Sequence, residues 1–265
     1  MIHKYGFRFQ PGTNDLTMEL KAFKAGRTEE QGGLGKFEHL RNAIDVLYNN
    51  PQSPATRRFI WSPWAEDMLY EACHNQYLSV AGCASSGKSD TFAVYGIMNY
   101  LADPCHTMVL MTSTTMREAR RRIWKSTVDL WCAVPGLPGK LVNSQGLIKG
   151  LSPTGQYYEA SGISLVPAER KREKEAIGKL AGIKQKNLIL IADELPELPE
   201  SILVAAFTNM STNPYFQMVA LGNPNSRFDA FGVFSKPKDG WGSVTEKDFD
   251  WDTETGRCIR FDAQF

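Results

Sequence analysis

Residues 82 to 89 read Gly-Cys-Ala-Ser-Ser-Gly-Lys-Ser, a G-x-x-x-x-G-K-S run filled at every fixed place. No other feature restricts the fold as much. The glycines let the backbone curl until successive amide N–H groups face one point. That geometry makes an anion site when a strand leads in and a helix leaves with its N-terminus toward the same point. The flanks supply both: residues 77–81 (Tyr-Leu-Ser-Val-Ala) predict a strand, and Lys88 to Leu101 a helix. Gly82, Cys83, Ala84, Ser85, Ser86, Gly87, Lys88 and Ser89, with Asp90 beside them, are therefore candidate contacts for a nucleotide phosphate chain. Lys88 would meet the β- and γ-phosphates and the Ser89 hydroxyl would ligate Mg²⁺, so ATP and Mg²⁺ are the expected cofactors.

From Phe59 onward apolar runs alternate with helical stretches, the order of a parallel α/β sheet with helices on its faces. Residues 107–112, 187–192 and 216–221 are the further predicted strands, and a helix is expected from about Met116 to Trp131. Residues 133–170, rich in Gly, Pro and Ser, suggest a hairpin and surface loops. The fold class expected is a P-loop NTPase of the ASCE type, with a mostly parallel central sheet over residues 59–245. Residues 1–58 would form an N-terminal accessory or lid region. Phe37, Leu40, Ile44 and Leu47 there recur at helical spacing before the break at residues 49–54.

The run 187–192 is the most continuous apolar stretch, as a strand covered on both faces should be, and it ends on Asp193 and Glu194. Carboxylates at the C-terminal end of a buried strand stand where α/β folds place their ligands. Asp193 would hold Mg²⁺, and Glu194 would polarise the water that attacks the γ-phosphate. The competing reading is a strand running into an acidic loop, since Glu197 and Glu200 follow. Asn223, after the fourth strand, is typed for sensing the γ-phosphate, although Gly-Asn-Pro-Asn is also an ordinary turn. Trp64 and Glu66 lie upstream in Phe59-Ile-Trp-Ser-Pro-Trp-Ala-Glu66 and suit adenine stacking and its exocyclic amine. Core packing of Trp61 and Trp64 is the alternative.

A formal net charge of +1 gives no global attraction for nucleic acid, so charge is read locally. Arg117, Arg120, Arg121, Arg122 and Lys125 crowd one predicted helix with Glu118 as the only acidic residue among them. They are the candidate contacts to a DNA backbone, against the usual solvated face. A second cluster around Arg170 and Arg172 is diluted by Glu169, Glu173 and Glu175. Those two arginines are the candidate transition-state fingers. The five cysteines have no CxxC spacing, which points to neither a zinc site nor a disulfide framework. No run approaches the roughly 20 apolar residues of a membrane span, and the N-terminus has no apolar signal core, so an intracellular protein without membrane partners is expected.

In combination, the aromatic block, the 82–89 loop, Met111-Thr-Ser-Thr-Thr-Met-Arg-Glu-Ala-Arg120, Leu180-Ala-Gly-Ile-Lys184 and Leu221-Gly-Asn-Pro-Asn225 resemble the ATPase domain of viral terminase large subunits, over residues 59–235. The resemblance implies a motor driving double-stranded DNA into a procapsid in the host cytoplasm. It would act as a homo-oligomeric ring on the portal protein, with a small terminase subunit as partner. It also implies a second, nuclease domain, so residues 246–265 are expected to be a linker toward that domain, and DNA cleavage by this chain is not expected. A helicase-like or remodelling ATPase, a small-molecule phosphotransferase and a non-hydrolysing assembly module stay open as alternatives.

Overall fold

The computed structural model describes residues 14–26, 35–83, 85–168, 178, 182–210, 212–223 and 225–261. Nine strands form one sheet: β1 (Tyr77–Gly82), β2 (Thr107–Ser113), β3 (Lys140–Val142), β4 (Leu147–Leu151), β5 (Tyr157–Pro167), β6 (Asn187–Ala192), β7 (Phe216–Gly222), β8 (Asp250–Asp252) and β9 (Arg257–Phe261). Their order is β3-β4-β5-β2-β6-β7-β1-β9-β8. The run from β5 to β9 is parallel, and an antiparallel partner closes each side. β7 stands between β1 and β6, so the Gly-rich loop and the acidic strand end are separated by one strand and share one edge.

Side-chain alternation sorts the sheet into two cores. Val80, Val109, Met111, Ile189, Ile191 and Val219 enter one cluster, and Met108, Leu110, Leu188, Leu190, Met218 and Ala220 the other. A strand sandwiched this way is apolar at every position, which is why 187–192 reads as unbroken. Helices α1 (Asn14–Ala25), α2 (Lys36–Ile44), α3 (Pro63–His74) and α4 (Lys88–Ala102) cover the first face. α4 is buried from Thr91 to Leu101. α3 starts where Ser62 accepts from the Ala65 amide with Pro63 in the first turn, satisfying otherwise orphaned N–H groups. The short helices α7 (Ser201–Ala205) and α8 (Ala230–Phe234) cover the second face.

Three expectations need correction. The helix expected over 116–131 is two, α5 (Met116–Arg121) and α6 (Ile123–Ala133), broken at Arg122, whose φ/ψ of −111°/−107° no helix accommodates. Residues 133–170 do hold antiparallel pairing, β3 with β4 and β4 with β5, but β5 is also a full parallel partner of β2, and its Ser and Gly content hid that strand. Residues 246–265 are not a linker over their described part, because β9 pairs with β1 along Leu78–Gly82. Charge disguised it: Arg257 is held by Asp250 and Asp252 at 2.6 and 2.8 Å and by Glu71 at 3.5 Å. The described part of 1–58 also shares the main core, with Phe23 edge-on to Tyr95 at 6.4 Å and Leu40, Ile44 and Leu47 buried. Among the described residues no helix is long and apolar enough to cross a membrane.

The β4–β5 pairing shifts register between Lys149 and Gly150, next to Gly162, which pairs with Lys149 on one side and with Met108 of β2 on the other. Gly162 has φ +128°, and a Cβ there would lie 2.0 Å from the Ile148 carbonyl oxygen. Gly162→Ala is therefore expected to lower unfolding free energy by about 2–4 kcal/mol, from backbone strain plus overpacking. Urea denaturation checks it; a loss below about 0.5 kcal/mol would mean that the edge strands rearrange freely.

Candidate nucleotide site

The C-terminal ends of β1, β6 and β7 place the loop 82–89, Asp193–Glu194 and Asn223 on one edge of the sheet. Gly87, with φ +80°, turns the chain into α4, whose N-terminus faces the loop. Lys88 is buried, and its Nζ donates to the carbonyl oxygens of Gly82 and Cys83 at 2.6 and 2.7 Å and to Ser86 Oγ at 3.1 Å. The lysine thus turns back on its own loop, using backbone acceptors where phosphate oxygens would serve. Burial pushes its pKa down, and the charges of Glu194 and Asp193 oppose that shift.

Asp193 is 2% exposed, and its amide donates to the Thr112 carbonyl at 2.8 Å, carrying the β2–β6 ladder one residue past the strand. Its Oδ2 has no hydrogen-bond partner, and neither do the buried hydroxyls of Thr112 and Ser113 at the end of β2. Burial pushes the Asp193 carboxyl up to about 7; the Glu194 charge adds to this, and Arg122 and Lys88 oppose it. A buried carboxylate oxygen without a donor fits a hard divalent cation. Among the described residues no cluster of three or more His, Cys, Asp or Glu suits a metal. A cation here would therefore draw the rest of its shell from water and phosphate.

Ser85 (φ 66°) and Glu194 (φ 55°) are the two non-glycine residues with positive φ among those described, and both belong to this site. Such conformations cost about 1–3 kcal/mol each and persist where surrounding structure imposes them. Arg122 is part of that imposition: its Nη1 lies 2.9 Å from Glu194 Oε1. The break between α5 and α6 is what lets this arginine leave the helix face. Sequence reasoning grouped Arg122 with the DNA contacts; the structure draws it into the nucleotide site, a displacement that helical periodicity hides.

A cavity of about 280 Å³ adjoins the loop, lined by Trp64, Phe59, Arg57, Ser86, Gly87 and Asp90 among others. Trp64 lines this cavity, its ring 5.9 Å from that of Phe261, and like Trp61 it also packs against the main core. Glu66 is elsewhere: it pairs with Arg41 at 2.9 Å and is not in the lining. Arg57 was missed, and it binds Asp90 at 2.6 Å; the Arg-Arg pair just before the aromatic block was its one signal. Asn223 is exposed just past the end of β7. Arg117, Arg120 and Arg121 are exposed on α5, with Arg120 donating to the Ser144 carbonyl at 2.6 Å, while Lys125 pairs with Asp129 at 2.5 Å. Ala84, Arg170 and Arg172 lie outside the described residues.

The raised Asp193 pKa has a defined sign in stability. Between the ordinary carboxylate range and about pH 7 the folded state holds a proton that the unfolded state has released. Stability therefore falls as pH rises through that window and stays lower above it. Asp193→Asn removes this dependence. The variant is expected to be more stable than the parent at pH 8, by a few kcal/mol at most, and the gap should close near pH 4. Urea midpoints across pH test it; parallel curves for the two proteins would show that Asp193 is ionised throughout.

A scan of protein-family models and a search of curated proteins gave no match. Solved structures do match. A variant of the Thermus phage P74-26 large terminase ATPase domain superposes with a TM-score of 0.54 at 15% identity, over 77% of this chain and 82% of that one. The HK97 bacteriophage large terminase gives 0.50 at 11% identity, over 68% of this chain and 37% of that one. A large terminase from a thermophilic bacteriophage gives 0.48 at 14% identity, over 71% of this chain and 40% of that one. The chain thus spans less than half the length of these last two proteins. Its fold is that of the phage large terminase ATPase domain.

Proposed function

We propose that this chain, with the fold of a phage terminase ATPase domain, hydrolyses Mg-ATP and uses the energy to move double-stranded DNA into a viral procapsid. The observation that carries the reading is the convergence of the 82–89 loop and Asp193–Glu194 on one edge, with β7 between their strands. The Lys88 ammonium leaves the Gly82 and Cys83 carbonyls and takes the β- and γ-phosphate oxygens, while amides of the loop and of the first turn of α4 hold the rest of the chain. Ser89 and Asp193 would hold Mg²⁺, which when bound neutralises charge on the β- and γ-oxygens. The Glu194 carboxylate accepts the proton of a water whose oxygen attacks the γ-phosphorus as ADP departs. Trp64 packs against the base in the adjoining cavity, and Asn223 reports the γ-phosphate.

On the DNA side, Arg117, Arg120 and Arg121 of α5 would face the phosphate backbone, and Arg122 joins that helix to the catalytic carboxylate. Arg170 and Arg172 are the proposed fingers. A homo-oligomeric ring, the portal protein and a small terminase subunit are the proposed partners, in the host cytoplasm. The test is Mg-dependent ATP turnover with and without double-stranded DNA. Turnover raised by DNA, with stimulation falling as salt rises, is expected. Hydrolysis indifferent to DNA at low salt would leave an ATPase and remove the motor reading.

A further inference from the structure

A second cavity lies at the other edge of the sheet. It has a volume of about 530 Å³, within the range of small-molecule sites. Its wall includes the last turn of α1, the start of α2, the α3–β1 connection and the leading ends of β6 and β7. None of the nucleotide contacts assigned above touches it.

Three lysines from separate elements, Lys24, Lys36 and Lys186, line this cavity, and no aspartate or glutamate does. Aromatic rings seat two of them: Lys36 Nζ stands 5.4 Å from the Phe23 ring centre, and Lys186 Nζ 5.6 Å from that of Tyr215. Burial pushes the Lys24 pKa down to about 8; Asp103 opposes this, and the positive charges of Lys36 and Lys186 reinforce it. Asp103 is itself occupied, pairing with His106 at 2.8 Å and accepting from Asn187 Nδ2 at 3.1 Å. Among the described residues no carboxylate lies within ion-pair distance of the three ammonium groups. Three cations held around one void, with no carboxylate among the described residues in ion-pair distance, have an anion as their complement.

The wall sets a size as well as a charge. Inorganic phosphate has the charge but fills little of the volume.

We propose that this cavity binds a sugar phosphate of mononucleotide size, with the phosphate on Lys24, Lys36 and Lys186 and the sugar and base in the remaining volume, whose lining includes Tyr215 and Phe216. Two sources present this chemistry, a free mononucleotide and the 5′-phosphorylated end of a DNA strand.

Calorimetric titration in the Lys88→Ala background, which disables the 82–89 loop, isolates the site. AMP and a 5′-phosphorylated tetranucleotide are the two probes, with adenosine as the phosphate-free control. At least one probe is expected to bind with one site per chain, and adenosine at least tenfold more weakly. Lys186→Gln changes an exposed side chain and should weaken binding about tenfold; adding Lys24→Gln should abolish it. AMP binding alone identifies a free nucleotide, and tetranucleotide binding alone a strand end. Absence of binding by both probes, or affinity unchanged in Lys186→Gln, overturns the proposal. Neither result bears on ATP hydrolysis at the opposite edge.

Discussion

Glu194→Gln is expected to lower kcat for ATP hydrolysis by about 10²–10⁴-fold, the range of a positioned general base, while nucleotide affinity stays within about threefold. The amide keeps the size of the carboxylate and its place at the end of β6 but accepts no proton. It also ends the 2.9 Å ion pair with Arg122, which leaves Glu118 at 3.9 Å as that arginine's remaining carboxylate partner among the described residues. Rapid-quench single-turnover kinetics separates this chemical step from product release. A variant hydrolysing at the parent's rate would remove Glu194 from the base role and leave its left-handed backbone without a catalytic reason.

Lys88→Ala is expected to act on binding as well. The ammonium supplies charge-assisted hydrogen bonds to phosphate, each worth about 1.5–3 kcal/mol, so ATP affinity should fall about 10–100-fold and turnover should be abolished. Without nucleotide the same change leaves the Gly82 and Cys83 carbonyls without the bonds they now accept at 2.6 and 2.7 Å. The alanine variant should consequently melt lower than the parent even in the absence of ligand. Fluorescence titration with a labelled ATP analogue reads the first effect and thermal unfolding the second. ATP affinity equal to the parent's would show that the lysine stays on its own loop when nucleotide binds.

How much was legible in the sequence follows from where each signal is stored. Gly82–Ser89 is contiguous, because a loop wrapping one phosphate chain needs consecutive amides, and Asp193–Glu194 is marked by the apolar strand before it. Both stand where the pattern put them. Trp64 was visible for the same reason, as part of a local aromatic block. Arg122 was not: only the interruption between α5 and α6 separates it from Arg120 and Arg121, and no residue type announces that break. β9 was hidden because its Arg257 pairs with Asp250, Asp252 and Glu71, so a strand inside the sheet reads as a charged tail. Glu66 misled in the opposite direction, since its partner Arg41 lies on a different helix.

The sheet order also determines when this site can come into being. Tyr77 pairs with Met218 and Leu78 with Arg257, so the strand that leads into the Gly82–Ser89 loop meets its neighbours only after about 140 to 180 further residues have been synthesised. Contacts this distant in sequence close slowly, because the loop entropy must be overcome before any pairing compensates for it. A nascent chain therefore displays the complete Gly82–Ser89 motif long before it has a platform to hold it. β7 and β9, which both emerge long after β1, lie on either side of it and decide whether that edge becomes a working one.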